Sequence, residues 1–196
     1  MLRPGTRRRG AAGHTLTAIR RSGGRPRERR SRGRSAQYDA PIGTDLPAAA
    51  VSTAGPCDGP AYRAFDFWLG DWDVHTPEGR LAGTSSIERK HGGCVLHERY
   101  TGGRGYSGES LNIYDAARAV WHQTWVDTAG MLLVLEGGLR DGRMVLEGST
   151  MDAAARTTGH RITWSPNPDG TVRQLWESTA ADGSWGIAFD GLYTRK

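Results

Sequence analysis

The feature that most limits what this chain can fold into is the steady train of turn signals that runs from Ala61 to its end. Pro77-Glu78-Gly79, His91-Gly92-Gly93, Gly102-Gly103-Arg104-Gly105, Asp115 to Arg118, Thr128-Ala129-Gly130, Arg140-Asp141-Gly142, Asn167-Pro168-Asp169-Gly170 and Asp182-Gly183 punctuate short β-like runs. The Asp-Gly pairs suit turns that need positive φ, which glycine adopts without a Cβ penalty. Ten strands are predicted between them, at 69–76, 80–90, 94–101, 106–114, 119–127, 131–139, 143–151, 158–165, 171–180 and 184–195. Several alternate with a period of two. Trp72, Val74 and Thr76 interleave with Asp71, Asp73 and His75, and His160, Ile162 and Trp164 share a face. In the last strand Trp185, Ile187, Phe189 and Tyr193 are expected on one face, with Asp190 and Thr194 on the other.

Ten antiparallel strands with short links close most simply into a barrel, because closure removes both exposed sheet edges. A two-sheet sandwich is the alternative, but its Greek-key connections need longer links than these. The expected fold is all-β: an up-and-down antiparallel barrel of about ten strands, preceded by a short helical turn within Tyr62 to Trp68.

Charge separates this domain from what precedes it. Residues 1–35 hold twelve Arg and one acidic residue, Glu28, a local charge of +11. The other 161 residues hold fourteen basic and twenty acidic groups, a balance of −6. Every Trp, Phe and Tyr lies after residue 37, so the head has almost nothing to bury. We expect residues 1–56 to be a disordered leader, Arg-rich and then Ala/Pro/Gly-rich, and residues 57–196 to be one domain. A negative domain argues against a nucleic-acid-binding fold, although the basic head could act as a nucleic-acid-binding arm. No stretch approaches the roughly 18 apolar residues of a membrane span. As written, the chain reads as cytoplasmic; if its true start lies further along, it reads as secreted or periplasmic.

Gly70-Asp71-Trp72 opens the first strand, and the last ends Gly191-Leu192-Tyr193-Thr194-Arg195-Lys196. This pairing resembles the calycins, the superfamily of lipocalins and fatty-acid-binding proteins. There the Gly-x-Trp tryptophan plugs one barrel end and a late basic residue packs over it. The resemblance assigns structural roles to Gly70, Trp72 and Arg195, with the Arg195 guanidinium stacked on the Trp72 ring. Longer strings carry a closer likeness: Phe65-Asp66-Phe67-Trp68-Leu69-Gly70-Asp71-Trp72-Asp73-Val74, Gly93-Cys94-Val95-Leu96-His97-Glu98, Gly108 to Asp115, Trp121 to Asp127, and Phe189-Asp190-Gly191-Leu192-Tyr193. Over roughly residues 57–195 the chain resembles the DUF1579-like group of bacterial lipocalin-like proteins. That implies a calycin-like barrel and no particular activity. Many members of the group look exported, with a leader and a Cys before the Phe-Asp-Phe-Trp segment, as Cys57 is here; the Arg-rich head departs from that pattern.

The strand Ala119 to Asp127 is the most unusual segment. Trp121, Gln123, Trp125 and Asp127 fall at alternate positions and so on one face. If that face is interior, two indoles, an amide and a carboxylate line the lumen. The neighbouring strand adds either Ser110, Asn112 and Tyr114 or Glu109, Leu111 and Ile113, and the polar set is expected inward, with the N-terminal segment covering Leu111 and Ile113. Asn112, Trp121, Gln123, Trp125 and Asp127 are therefore the candidate ligand-binding residues, for a small, largely hydrophobic molecule. The opposing reading is a structural hydrogen-bond ladder inside a wet barrel. Asp127 and Glu98 are the candidate carboxylates if the barrel is instead an isomerase, cyclase or hydrolase. Glu136, Glu147, Gln174 and Glu177 are the other polar groups within strands, expected mostly on the solvent face.

No metal is expected. In an extended strand Cys94 and His97 point to opposite faces and cannot share a tetrahedral ion, and His75, His122 and His160 match no ligand spacing. No cofactor is expected either, the alternative being haem held through His160. Cys57 and Cys94 are too few for a disulfide scaffold, and leave open one bridge or two free thiols. No nucleophile elbow, phosphate loop or dinucleotide fingerprint is present. The oligomeric state is left open.

Overall fold

The computed structural model describes residues 55–196. The leader and basic arm expected in residues 1–54 lie outside the described residues. A single turn of helix, α1 (Pro60–Arg63), and a 3-10 turn (Asp66–Trp68) precede ten strands: β1 (Gly70–His75), β2 (Leu81–Lys90), β3 (Val95–Gly102), β4 (Ser107–Asp115), β5 (Val120–Asp127), β6 (Leu132–Arg140), β7 (Arg143–Met151), β8 (Thr157–Pro166), β9 (Val172–Thr179) and β10 (Trp185–Arg195). Each strand pairs antiparallel with its sequence neighbours, and β1 pairs with β10 to close the barrel. The sandwich alternative is therefore excluded.

Turn chemistry sets the links. Asp141 and Gly142 both have positive φ, the two-residue hairpin that joins β6 to β7 with Arg140 opposite Arg143. Period-two patterning sets the faces: Leu133 and Leu135 in β6, Met144 and Leu146 in β7, and His160, Ile162 and Trp164 in β8 are all buried.

The last strand departs from its expected pattern. Ile187 pairs with Glu177 while Phe189 pairs with Trp176, so Ala188 is an extra residue, a β-bulge. One inserted residue moves everything before it to the opposite face. Trp185 and Ile187 therefore lie outside, 44% and 67% exposed, while Phe189 and Tyr193 remain inside. The Trp185 ring instead receives the Arg161 guanidinium at 4.5 Å.

One end of the barrel is stoppered by aromatic rings. Phe65 and Trp68, delivered by the helical turns, are fully buried and stacked, with centroids 4.9 Å apart. Phe65 also meets Trp164 and Trp121 edge-on at 5.1 and 5.7 Å. Trp72 donates its indole N–H to the Trp68 carbonyl at 3.0 Å. Arg195, directly opposite Trp72 in the closing pair, lies 4.3 Å over its ring and donates to the Leu69 carbonyl at 3.1 Å. Gly70 makes this fit possible: its φ is +127°, and a Cβ there would sit 2.6 Å from the guanidinium. A Cys57–Cys94 disulfide ties the plug segment to the residue just before β3, and Arg89 pairs with Asp66 beneath it.

If the plug carries this end of the fold, Trp68→Ala lowers the unfolding free energy by about 3–5 kcal/mol in urea titrations. Replacing Cys57 and Cys94 together by Ala costs about 2–4 kcal/mol while far-UV circular dichroism stays that of a barrel. An unchanged denaturation midpoint in the first variant would show that the plug is dispensable.

Candidate functional site

The end opposite the plug stays hollow. Here the chain links β3 to β4, β5 to β6 and β9 to β10, and the strand ends enclose a cavity of about 280 Å³. Its wall carries Tyr100, Tyr106, Trp125, Trp176, Phe189 and Tyr193, with Leu133 and Ile162 deeper. Four polar groups face this apolar lining: Glu98, Gln123, Gln174 and Tyr193. The backbone makes room for one of the rings. Gly108 lies on the inward face of β4, and a Cβ there would sit 2.3 Å from the Trp125 indole.

Asp127 holds the rim. Tyr106 Oη and Trp125 Nε1 donate to its Oδ2 at 2.9 and 3.2 Å, and the backbone N–H groups of Ala129 and Met131 donate to its Oδ1 at 2.9 and 3.0 Å. Burial pushes its pKa up, but these four donors outweigh it and hold the carboxyl below the usual range. Asp127 is thus a charged clamp that aims two cavity rings.

Glu98 is its opposite. It sits on β3 between the inward-facing Leu96 and Tyr100, directly across from Ser110 on β4, and is 3% exposed. Ser85 donates to Oε1 at 3.0 Å and Ser110 to Oε2 at 2.9 Å. The Ser110 donor is committed to Glu98 because its oxygen accepts from Asn112 Nδ2 at 2.9 Å. Asn112 Nδ2 also meets the Leu96 carbonyl at 3.1 Å, which fixes the amide's orientation and turns Oδ1 toward Gln123 Nε2 at 2.7 Å. All donors in the series Gln123, Asn112, Ser110 therefore point one way, toward the Glu98 carboxyl, and such chains polarise cooperatively. On the far side the Tyr193 hydroxyl donates to Gln174 Oε1. Burial raises the Glu98 pKa, and the hydrogen bonds from Ser110 and Ser85 only partly offset it; the balance lies at about 7.

The residues singled out in the sequence are thus divided. Gln123 and Trp125 line the cavity, and Asp127 holds its rim. Asn112 and Trp121 do not reach it: Asn112 lies wholly buried in the relay, and Trp121 belongs to the plug, its N–H on the Ala61 carbonyl at 3.2 Å. Leu111 and Ile113 face outward and are 53% and 38% exposed. Glu136, Glu147 and Glu177 also face outward, paired with Arg118, Arg161 and Arg161. Gln174 instead faces inward with Trp176, on the same side of β9.

Cys94 is consumed by the disulfide, and His97 points outward to Glu109 at 2.7 Å. Among the described residues no group of three or more His, Cys, Asp or Glu is placed to hold a metal. His160 has both ring nitrogens engaged, Nε2 with Thr150 Oγ1 at 2.8 Å and Nδ1 accepting from Trp176 at 3.2 Å. Burial lowers its pKa and keeps it neutral, and a haem iron would have to break the Thr150 contact. Among the described residues no helix is long and apolar enough to cross a membrane. No family model and no curated protein matches the chain, so a functional reading rests on this geometry.

The folded protein keeps a proton on Glu98 up to about pH 7, whereas a glutamate in water loses it near 4.5. The folded state thus binds more protons across that interval, and this group's contribution to stability falls as pH rises through it, then levels off. Relative to Glu98→Gln, the wild-type protein should lose on the order of 3 kcal/mol of unfolding free energy between about pH 4.5 and 8. A difference that does not change with pH would mean that the carboxyl titrates as it does in water.

Proposed function

We propose that this protein binds a small, largely apolar molecule in the open half of its barrel. The observation that carries this is the pairing of a hollow of about 280 Å³ with an aromatic wall and a few convergent polar groups at its floor. Small-molecule sites have that make-up, and this volume lies at the small end of their range. A compact ring-bearing molecule fits it better than a long acyl chain. The packing of Arg195 over Trp72 supports the likeness to calycin barrels and, with the quoted motifs, to the DUF1579-like group.

The tryptophans supply the readout. Trp125 and Trp176 line the cavity, whereas Trp68, Trp72, Trp121 and Trp164 are buried in the plug half. Titrating a library of small apolar compounds should quench or shift the intrinsic fluorescence, and native mass spectrometry should show a one-to-one complex. Trp176→Ala should weaken binding by about tenfold or more, the loss of a large aromatic contact in a desolvated pocket. No fluorescence change across the library, with no retained mass, would mean that the hollow is not a binding site.

Glu98 favours a second reading, an enzyme on the same barrel. A buried carboxyl that titrates at about 7 within a cavity has the properties of a general acid or base. In that case Glu98→Gln abolishes turnover of a bound substrate by about 100-fold or more and leaves its binding in place. Asp127 is unsuited to the role, because its lone pairs are taken by four donors.

A further inference from the structure

The electrostatic make-up of the cavity is one-sided. Among the described residues six aromatic side chains line it, Tyr100, Tyr106, Trp125, Trp176, Phe189 and Tyr193, and no Lys, Arg or His does. Its carboxyl group, Glu98, has no cation beside it among the described residues, and a buried carboxylate without a counter-charge is costly. The hydrogen-bond donors around it nonetheless favour the charged form and offset part of the cost of burial. Ser85 and Ser110 both donate to Glu98, and Asn112 and Gln123 are aligned behind Ser110 so that their dipoles add. The barrel sets buried donors on a carboxyl that has no positive partner among the described residues.

The aromatic faces point the same way. Each π face carries partial negative charge and attracts a cation, most strongly where water is excluded. The two serines occupy one acceptor site on each Glu98 oxygen, and an ionised carboxylate has about four in all. Those that remain can accept from a donor that enters through the cavity.

Building on the small-molecule reading above, we infer that the preferred ligand class is an organic cation: a protonated amine attached to an apolar ring, its ammonium on Glu98 and its ring between the cavity aromatics. A neutral isostere of the same shape gains the apolar contacts but not the charge-assisted hydrogen bond. An anion meets the Glu98 carboxyl with no cationic side chain to receive it.

The charge state of Glu98 makes the inference testable by pH. Among the described residues the titratable groups that feel its charge are Tyr100 on its own strand, Tyr106 just before β4 and Tyr193 on β10; His160 is buried on β8 and Asp127 lies at the rim, and its contacts on β2 and β4, Ser85 and Ser110, do not titrate. Burial raises the three tyrosines and lowers His160, so these stay neutral near neutral pH, and Asp127 stays charged. Glu98 is the group among them that changes charge. When an amine binds to the protonated site, one proton passes from Glu98 to solvent and the ammonium keeps its own.

The experiment uses three probes of one shape, 2-phenylethylamine, 2-phenylethanol and phenylacetate, titrated into the full chain by tryptophan fluorescence and calorimetry. At about pH 8.5 the amine should bind about tenfold or more tighter than the alcohol, and phenylacetate weakest. The amine's advantage should shrink severalfold at about pH 6, as Glu98 takes up its proton. Glu98→Gln should bring the amine to the level of the alcohol and leave the alcohol's affinity within about twofold. If that variant fails to fold, the pH series on the wild-type protein still decides. An alcohol that binds as tightly as the amine, or phenylacetate that binds tightest, overturns the cation inference and leaves the small-molecule reading standing. If none of the three binds, the cation inference fails, and the apolar library alone decides the wider reading.

Discussion

The pairing of the first strand with the last is the contact on which the rest of this structure depends. It sets Trp72 opposite Arg195 and Val74 opposite Tyr193, and so joins residues more than a hundred positions apart. An open ten-strand sheet would leave two edges of unpaired N–H and C=O groups. Closure pairs them and turns one face of every strand into a lumen. Each inward side chain then meets neighbours from across the barrel as well as from adjacent strands. The aromatic plug and the Glu98 relay exist only because of that enclosure.

Within the lumen the two ends solve different packing problems. At the plug end the chain adds Phe65 and Trp68 from outside the sheet, and the rings fill the interior at close contact. At the other end none of the described segments enters, and the large side chains there are held against the wall. Asp127 fixes Tyr106 and Trp125 by their polar edges, and Trp176 is tethered to His160. Rings anchored at the edge cannot collapse into the centre, which keeps the hollow open. Binding energy in such a site is not spent on ordering the wall.

The strand pattern was readable because each link is short and each face repeats with a period of two. Observed strand ends differ from expectation by about one residue, within the usual ambiguity of element boundaries. The inward polar set of β4 is likewise legible in the period of two, with Ser110 and Asn112 buried and Leu111 and Ile113 outside. The bulge at Ala188 was not: nothing local distinguishes an alanine that is an extra residue from one that is paired, and it reversed the faces assigned to Trp185 and Ile187. Glu98 stood among several strand carboxylates with the same local claim. Its neighbours two places away, Leu96 and Tyr100, were the available signal for an inward position, whereas Glu136 and Glu147 reach arginines on the outer surface. Gln174 and Trp176 joined the site from a strand with no motif to mark it.

By itself, then, the sequence determined the class of fold, the number of strands and the inward face of most of them. These follow from local periodicity, turn chemistry and a few strings whose roles lie close along the chain. The tertiary structure decided which polar residues meet. Asn112 and Gln123 face inward as read, yet the registers of β3, β4 and β5 make them the supports of a carboxyl on another strand. The disulfide between Cys57 and Cys94 was likewise one of two open outcomes until the plug segment was laid against β3. Whether a buried acid is paired, clamped or left facing a hollow depends on distances across the lumen, and no stretch of one strand encodes those.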